Sequence, residues 1–165
     1  DYRLRTLEQA PLYHAPLNVA AEQALQAMFA KMVPAEGEVR EEVNLEVENR
    51  SIRCRRVAED IAWFDFAALC DGPRSQNDYI ELAREFHAIL ISDVPQLGRS
   101  SDDAARRFVN MIDEFYDRQV KVVLAAAVPL TELYSGGKLE FEFQRTASRL
   151  LEMQSHEYLA RPHRP

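Results

Sequence analysis

Several things are scarce in this sequence at once. Its 165 residues include two cysteines, five glycines and one tryptophan. Cys54 and Cys70 stand in dissimilar surroundings and cannot build the disulfide framework of a small secreted domain, so a reducing, cytoplasmic setting is expected. No apolar run is long enough to span a bilayer, and no signal-peptide pattern opens the sequence. Asn49-Arg50-Ser51 fits a glycosylation sequon, which in such a setting is coincidence. Excess positive charge is lacking as well. The formal net charge is −7, which argues against broad nucleic-acid binding and leaves room only for a local basic patch. The glycines are Gly37, Gly72, Gly98, Gly136 and Gly137. They do not form G-x-x-x-x-G-K-[ST], the loop whose backbone N–H groups and lysine cradle phosphates. The nearest approach, Gly136-Gly137-Lys138-Leu139, has neither the first glycine nor the hydroxyl that would hold magnesium. His14, His87, His156 and His163 show no metal-ligand spacing with each other or with the cysteines, so no metal site is expected.

What is present has the balance of a globule: 47% hydrophobic and 28% charged, in a length that suits one domain with a sizeable core. DYRLR opens strand-like and leads into a proline-bracketed loop. Asn18 is a fair helix N-cap, followed by Ala21, Leu25, Met28, Phe29 and Met32 at helical spacing, and Pro34 stops the helix. VNLEVENRSIRCRRV alternates with period two around an Asn49-Arg50 turn, the pattern of a β-hairpin. IAWFDFAALC (61–70), HAILISDVP (87–95) and KVVLAAAVP (121–129) are continuously apolar strands. NDYIELAREF (77–86) and a helix begun at Ser101 separate them, with Asp102 and Asp103 in that helix's first turn, where the dipole favours acid. A short alternating strand, LEFEF, precedes a last helix and a polar tail. Buried strands alternating with helices predict an α/β fold: a parallel sheet of at least three strands with helices on both faces, preceded by a helix and a hairpin.

Apolar residues leading to Asp113-Glu114 look at first like the magnesium-binding and water-activating carboxylates of a nucleotide hydrolase. A helical wheel over 105–116 argues otherwise. Ala105, Phe108, Val109, Ile112, Phe115 and Tyr116 make one apolar face, with Glu114 opposite and Asp113 on the flank. Pairs at i,i+4, such as Glu114 with Arg118, complete a solvated side.

Other residues could carry chemistry. Arg50, Arg53, Arg55 and Arg56 could bind phosphate or an acidic partner; alternatively Arg53 and Arg55 face Glu46 and Glu48 across the hairpin. Asp65, Cys70, Arg74, Asp93 and the loop after Ala127 would gather at the carboxyl ends of the strands, where α/β sheets bind ligands. Asp93 and Arg74 could equally form a structural ion pair or cap a helix. Cys70 could be a nucleophile but has no local base, so a buried structural thiol is the plainer reading. Arg145 and Arg149 sit i,i+4 at an expected helix start, where cations oppose the dipole and would welcome a phosphate or an acidic surface.

DYRLR, LYHAPL, WFDFAALCDGPRSQNDYIELAREF, ISDVP, RRFVNMIDEFYDRQVKVV and FQRTASRLLEMQSHEYL occur in an order that resembles the C-terminal half of the ZapE-type AAA+ ATPases, bacterial cell-division proteins with mitochondrial relatives. The resemblance covers nearly the whole chain. It implies a full-length protein that uses ATP and magnesium, works as an oligomeric ring and is linked to FtsZ. It also places the phosphate loop, magnesium carboxylates and sensor asparagine upstream of DYRLR, so no catalytic residue transfers to a position here and no cofactor is expected in this stretch. Starting on Asp1 rather than Met fits such a fragment. The expected organisation is 1–35 connecting from an N-terminal ATPase core, 36–160 a compact α/β body, and 161–165 a polar tail.

Three readings stand side by side. The first is a non-catalytic C-terminal domain that couples to its own ATPase core or to a protein partner, with nucleotide or partner contacts at Arg145, Arg149, Arg74 and Asp93. The second is a small stand-alone enzyme using Asp93 and Arg74 on a small ligand. The third is a nucleic-acid accessory using Arg50 to Arg56.

Overall fold

The computed structural model describes residues 2–165; Asp1, the first residue of DYRLR, lies outside them. The chain opens with a helix, α1 (Tyr2–Glu8), and not with the strand that alternation in DYRLR suggests. Leu7 is buried and Leu4 packs beside it, the i,i+3 spacing of a one-sided helix. After β1 (Tyr13–His14) comes α2 (Val19–Met32). Asn18 caps α2, its side chain accepting from the Ala21 N–H at 2.9 Å. Ala21, Leu25, Met28, Phe29 and Met32 are all buried, as their spacing requires.

β2 (Arg40–Val47) and β3 (Arg50–Ala58) form the hairpin. Its turn is Glu48-Asn49, one residue earlier than the sequence suggests, because Val47 pairs with Arg50. Both turn residues have positive φ, 49° and 64°, the geometry of a type I′ turn matched to strand twist. The apolar run 61–70 is likewise not one strand. It divides into β4 (Ile61–Asp65) and α3 (Phe66–Cys70). Phe66, Leu69 and Cys70 are buried at i, i+3 and i+4, a helical period that a continuous apolar run conceals.

α4 (Gln76–Glu85) starts where the Asp78 carboxylate accepts from the Ser75 backbone N–H at 2.9 Å. Next come β5 (Ala88–Val94), β6 (Leu97–Gly98), α5 (Asp102–Asp117) and β7 (Lys121–Ala126), then β8 (Tyr134–Ser135), α6 (Glu140–Glu152) and α7 (His156–Ala160). LEFEF is not a strand: α6 begins inside it, with Glu140 and Glu142 in the favourable first turn and Phe143, Thr146 and Leu150 buried at helical spacing.

The main sheet runs β1-β7-β5-β4-β3-β2. β1, β7, β5 and β4 are mutually parallel, and the hairpin joins the edge antiparallel to β4. β4, β5 and β7 are buried almost throughout. Adjacent residues of a strand face opposite sides: Trp63 meets Phe29 of α2 at 6.1 Å between ring centroids, while Phe64 meets Phe86, next to α4, at 6.4 Å. Helices therefore cover both faces. α4 and α6 pack in turn on α5. β6 and β8 form a small parallel pair whose close approach needs Gly98, since a Cβ there would stand 2.2 Å from the Ser135 carbonyl oxygen.

Glu48 holds a left-handed backbone that a type I′ turn prefers to give to asparagine or glycine. Glu48→Asn is expected to raise stability by about 0.5–1 kcal/mol. Urea denaturation checks this; an unchanged or lower midpoint would contradict the turn assignment.

Candidate functional site

Loops at the carboxyl ends of parallel strands are the usual ligand edge of an α/β sheet. Here β4 ends in Asp65, and Asp93 lies near the end of β5. The β5–β7 register shifts between Ile91 and Val94, and Asp93 within that irregularity has φ +59°. Aspartate is among the few residue types that tolerate this region. Arg55 reaches the same edge from β3. Its Nε donates to Asp65 at 2.9 Å, one terminal nitrogen donates to both oxygens of Glu22 in α2 at 3.0 and 2.9 Å, and the other reaches Asp93 at 3.3 Å. The guanidinium lies 4.9 Å from the centre of the Trp63 ring. Trp63 itself donates from Nε1 to the Ser92 hydroxyl at 2.9 Å. One cation thus serves three carboxylates, leaving a local charge of about −2. Burial, then the neighbouring Asp65, raise the Asp93 carboxyl above the usual carboxylate range, with Arg55 opposing.

Beside this cluster, Asp65, Phe66, Asp71, Asp93, Pro95 and Ser101 help line a cleft of about 440 Å³. Arg74 is not among its walls. Its guanidinium donates to the Ala68 carbonyl at 2.9 and 3.2 Å, to Pro73 at 3.0 Å and to Ser51 at 3.4 Å. It closes the end of α3 and makes no pair with Asp93; the partner of Asp93 is Arg55. The convergence of Asp93 and Arg74 that a small-ligand enzyme would need is therefore absent. Cys70 is fully buried, and burial pushes its thiol up to about 12, so it is no nucleophile at neutral pH.

The basic run is divided among separate acids. Arg50 pairs with the wholly buried Asp78 at 2.8 Å. Arg53 lies opposite Asn44 and approaches Glu42 at 3.4 Å, and Arg56 approaches Glu41 at 3.6 Å. Glu46 and Glu48 are not the partners of Arg53 and Arg55, because the earlier turn sets Glu46 opposite Ser51.

The Asp113-Glu114 question resolves into two different environments. Asp113 accepts from Arg145 at 3.3 Å and also bonds Arg149, pinning α6 to α5. Arg149 lies 4.8 Å over the Tyr116 ring. Because α6 starts at Glu140, neither arginine is at a helix start, and Arg149 falls in the last turn, where a cation suits the dipole. Glu114 is not solvated: it is only 9% exposed, since α4 covers that side of α5. It accepts from Gln76 at 2.5 Å and Arg118 at 2.6 Å. Both acids are engaged by the chain's own donors. Among the described residues no three His, Cys, Asp or Glu side chains are grouped to hold a metal ion.

The Gly136-Gly137-Lys138 turn is similarly self-occupied. Gly136 N–H donates to Glu140 at 2.9 Å, Leu139 N–H to the Tyr134 hydroxyl at 2.8 Å, and Lys138 N–H approaches Asp102 at 3.4 Å. A Cβ on Gly137 would fall 1.9 Å from the Tyr134 hydroxyl, which itself donates to Asp102 at 2.6 Å. This glycine makes room for a tyrosine and not for a phosphate. Sequence reasoning missed Glu22 and Asp113 as anchors. Their only linear trace was an acid on the flank of an otherwise apolar helix face.

Fold and edge together define a mostly parallel α/β body whose carboxyl-edge charges are paired with one another beside an open cleft. The family model described as AFG1-like ATPase matches residues 1–162, and the chain belongs to that family. It is 44% identical over 163 residues to "Cell division protein ZapE" of Escherichia coli K12, covering 99% of this chain and 43% of that protein. It is 32% identical over 191 residues to "Lactation elevated protein 1 homolog B" of Danio rerio, covering 96% of this chain and 38% of that protein. The chain thus spans less than half the length of these curated relatives. No solved structure matches it.

If Arg50 is a structural partner of buried Asp78, removing it strands a desolvated carboxylate. Because Arg50 is itself partly exposed, Arg50→Ala is expected to cost about 2–3 kcal/mol, somewhat below the range for a fully buried pair, and Arg53→Ala less than about 0.5 kcal/mol. Equal effects of the two variants in urea denaturation would contradict this division of roles.

Proposed function

We propose that this chain is the C-terminal part of a ZapE-like AAA+ ATPase of the cell-division machinery, that it does not hydrolyse ATP by itself, and that it couples an ATPase core to protein partners. ATP and magnesium then belong to the core, the full-length protein assembles as a homo-oligomer in the cytoplasm, and FtsZ is the partner that the family resemblance points to. Within this reading, 1–35 leads from the core, 36–160 is the coupling body and 161–165 follows as a tail.

The observation that carries the proposal is chemical self-sufficiency at the sheet edge. β4 passes into α3 through Asp65-Phe66-Ala67 with no glycine between them. The only Gly-Gly-Lys turn in the sequence gives its N–H groups to Glu140, Asp102 and Tyr134. A triphosphate at that edge would meet Asp65 and Asp93, with Arg55 already paired to both. A partner surface is available on α6: Phe141 is 82% exposed and Leu151 62% exposed, with Arg145 four residues from Phe141 on the same outer face. Exposed aromatic, aliphatic and arginine side chains are what protein interfaces use as anchors.

The test is ATP binding and turnover by this chain beside a version extended through the rest of the full-length protein. Turnover confined to the longer chain is the expected result. Nucleotide binding or turnover by the 165-residue chain alone would overturn the proposal.

A further inference from the structure

A cavity of about 470 Å³ opens at the opposite, amino-terminal edge of the parallel strands. Its size lies within the range of about 300–1,000 Å³ typical of small-molecule sites. Its walls come from α1, the end of α2, the starts of β5 and β7, the end of α7 and the segment that follows it. None of these residues takes part in the edge described above.

The walls are chemically lopsided. Leu4, Leu7, Met32 and Leu159 make an apolar side. The other side carries Lys121, Arg161, His87 and His163, with Arg3 close by. Asp60 is the acid nearest this set, and it is already occupied. Arg3 bonds it at 2.7 and 2.9 Å, and His87 Nδ1 stands 3.2 Å from it. The nearest carboxylate to Arg161 is Glu152 at 3.5 Å, which also accepts from Tyr116 at 2.8 and 2.9 Å.

Lys121 has no carboxylate partner among the described residues. Its ammonium donates to the backbone carbonyls of Gln119 at 2.8 Å and Arg161 at 2.6 Å, and lies 5.0 Å from the Tyr158 ring centre. An ammonium has three donors, so one remains. His163 Nε2 donates to the Ala83 carbonyl at 2.5 Å, and its buried Nδ1 has no partner. A buried polar atom without a partner is uncommon and calls for one. The His87 and His163 rings lie 4.2 Å apart. Among the described residues, Asp60 and Glu152 answer Arg3, His87 and Arg161, while Lys121 and His163 have no carboxylate partner, so cations outnumber acids around this apolar hollow.

We propose that this cavity binds a small carboxylic acid with an apolar chain, its carboxylate held by Lys121 and Arg161 and its chain lying on Leu4, Leu7, Met32 and Leu159. His163 lines the same hollow, so the bound carboxylate would act on its ring through space. Burial, then Arg161, bring the Lys121 ammonium down to about 8. Burial, then Ala83's opposing hydrogen bond and the positive neighbours His87 and Lys121, leave His163 below the usual histidine range. The groups around Lys121 are Tyr158 of α7, Arg161 and His163 from the segment after α7, His87 just before β5, and the Arg3–Asp60 pair between α1 and the β3–β4 turn. An added anion relieves the repulsion among these cations. Affinity is therefore highest where Lys121 is protonated and falls as pH rises through about 8. Reciprocally, the bound acid raises the midpoint of His163.

Octanoate titrated into the 165-residue chain tests this, with octan-1-ol and inorganic phosphate as comparisons and the ring resonances of His163 and His87 as reporters. At about pH 6.5, octanoate is expected to bind at least about tenfold more tightly than either comparison, and to raise the His163 midpoint. Arg161→Gln, at an exposed position, and Lys121→Met are each expected to weaken octanoate about tenfold. Equal binding of octan-1-ol would overturn the proposal by showing an apolar hollow only. Equal binding of phosphate would overturn it by showing a bare anion site. No saturable binding of octanoate, or an unaltered affinity in Arg161→Gln, would also overturn it. If Lys121→Met does not fold, the three-ligand comparison and Arg161→Gln still decide the question.

Discussion

Strands β4, β5 and β7 bury both of their faces, and the rest of the architecture answers that requirement. A strand apolar on one side can leave the other to water, but Ile61–Phe64, Ile89–Ile91 and Val122–Ala126 have no side to spare. Helices must cover them twice. α2 meets the face that carries Trp63, and the segment after α4 meets the face that carries Phe64. Parallel pairing then needs crossover connections, which α3 with α4, and later α5, provide. Along the sheet edge that this leaves open, the antiparallel hairpin of β2 and β3 completes the pairing of β4.

Covering both faces pushes polar groups to the ends of the strands, and the two ends differ in sign. At the carboxyl end, Asp65 and Asp93 lie close together and Glu22 approaches from α2. Arg55, seated over Trp63, is the cation that lets them coexist. At the amino-terminal end the charges are Lys121, Arg161 and the two histidines, with Asp60 already committed to Arg3. An acidic end that satisfies its one arginine and a basic end with donors to spare make the second the more receptive to an external anion.

The third layer rests on charge placed between helices. Asp113 takes both Arg145 and Arg149, and Arg149 also lies on Tyr116. Asp-Glu after apolar residues therefore serves two structural ends: Asp113 ties α6 to α5, and Glu114 ties α4 to α5 through Gln76. Arg149 turns toward α5, while Arg145 stays half exposed and Phe141 and Leu151 remain on the outside of α6.

Linear pattern was enough to determine the α/β class, the three buried strands, α2 with its Asn18 cap, and the failure of any phosphate loop, because period, capping chemistry and glycine count are local properties. It misread DYRLR and LEFEF as strands, since two or three alternating apolar residues satisfy a strand and a half-buried helix equally. It ran β4 into α3 because a wholly apolar stretch shows no period. The edge residues Asp65 and Asp93 were legible from their places at strand ends. Their link to Arg55 and Glu22 was not, because those partners are distant in sequence and only strand order and the packing of α2 bring them together. The same holds for Arg74, whose carbonyl partners depend on where α3 ends, for Asp113, and for the basic cavity. Tertiary structure alone decided these, because electrostatic pairing is set by distance in space, and distance in space is set by how the buried strands are covered.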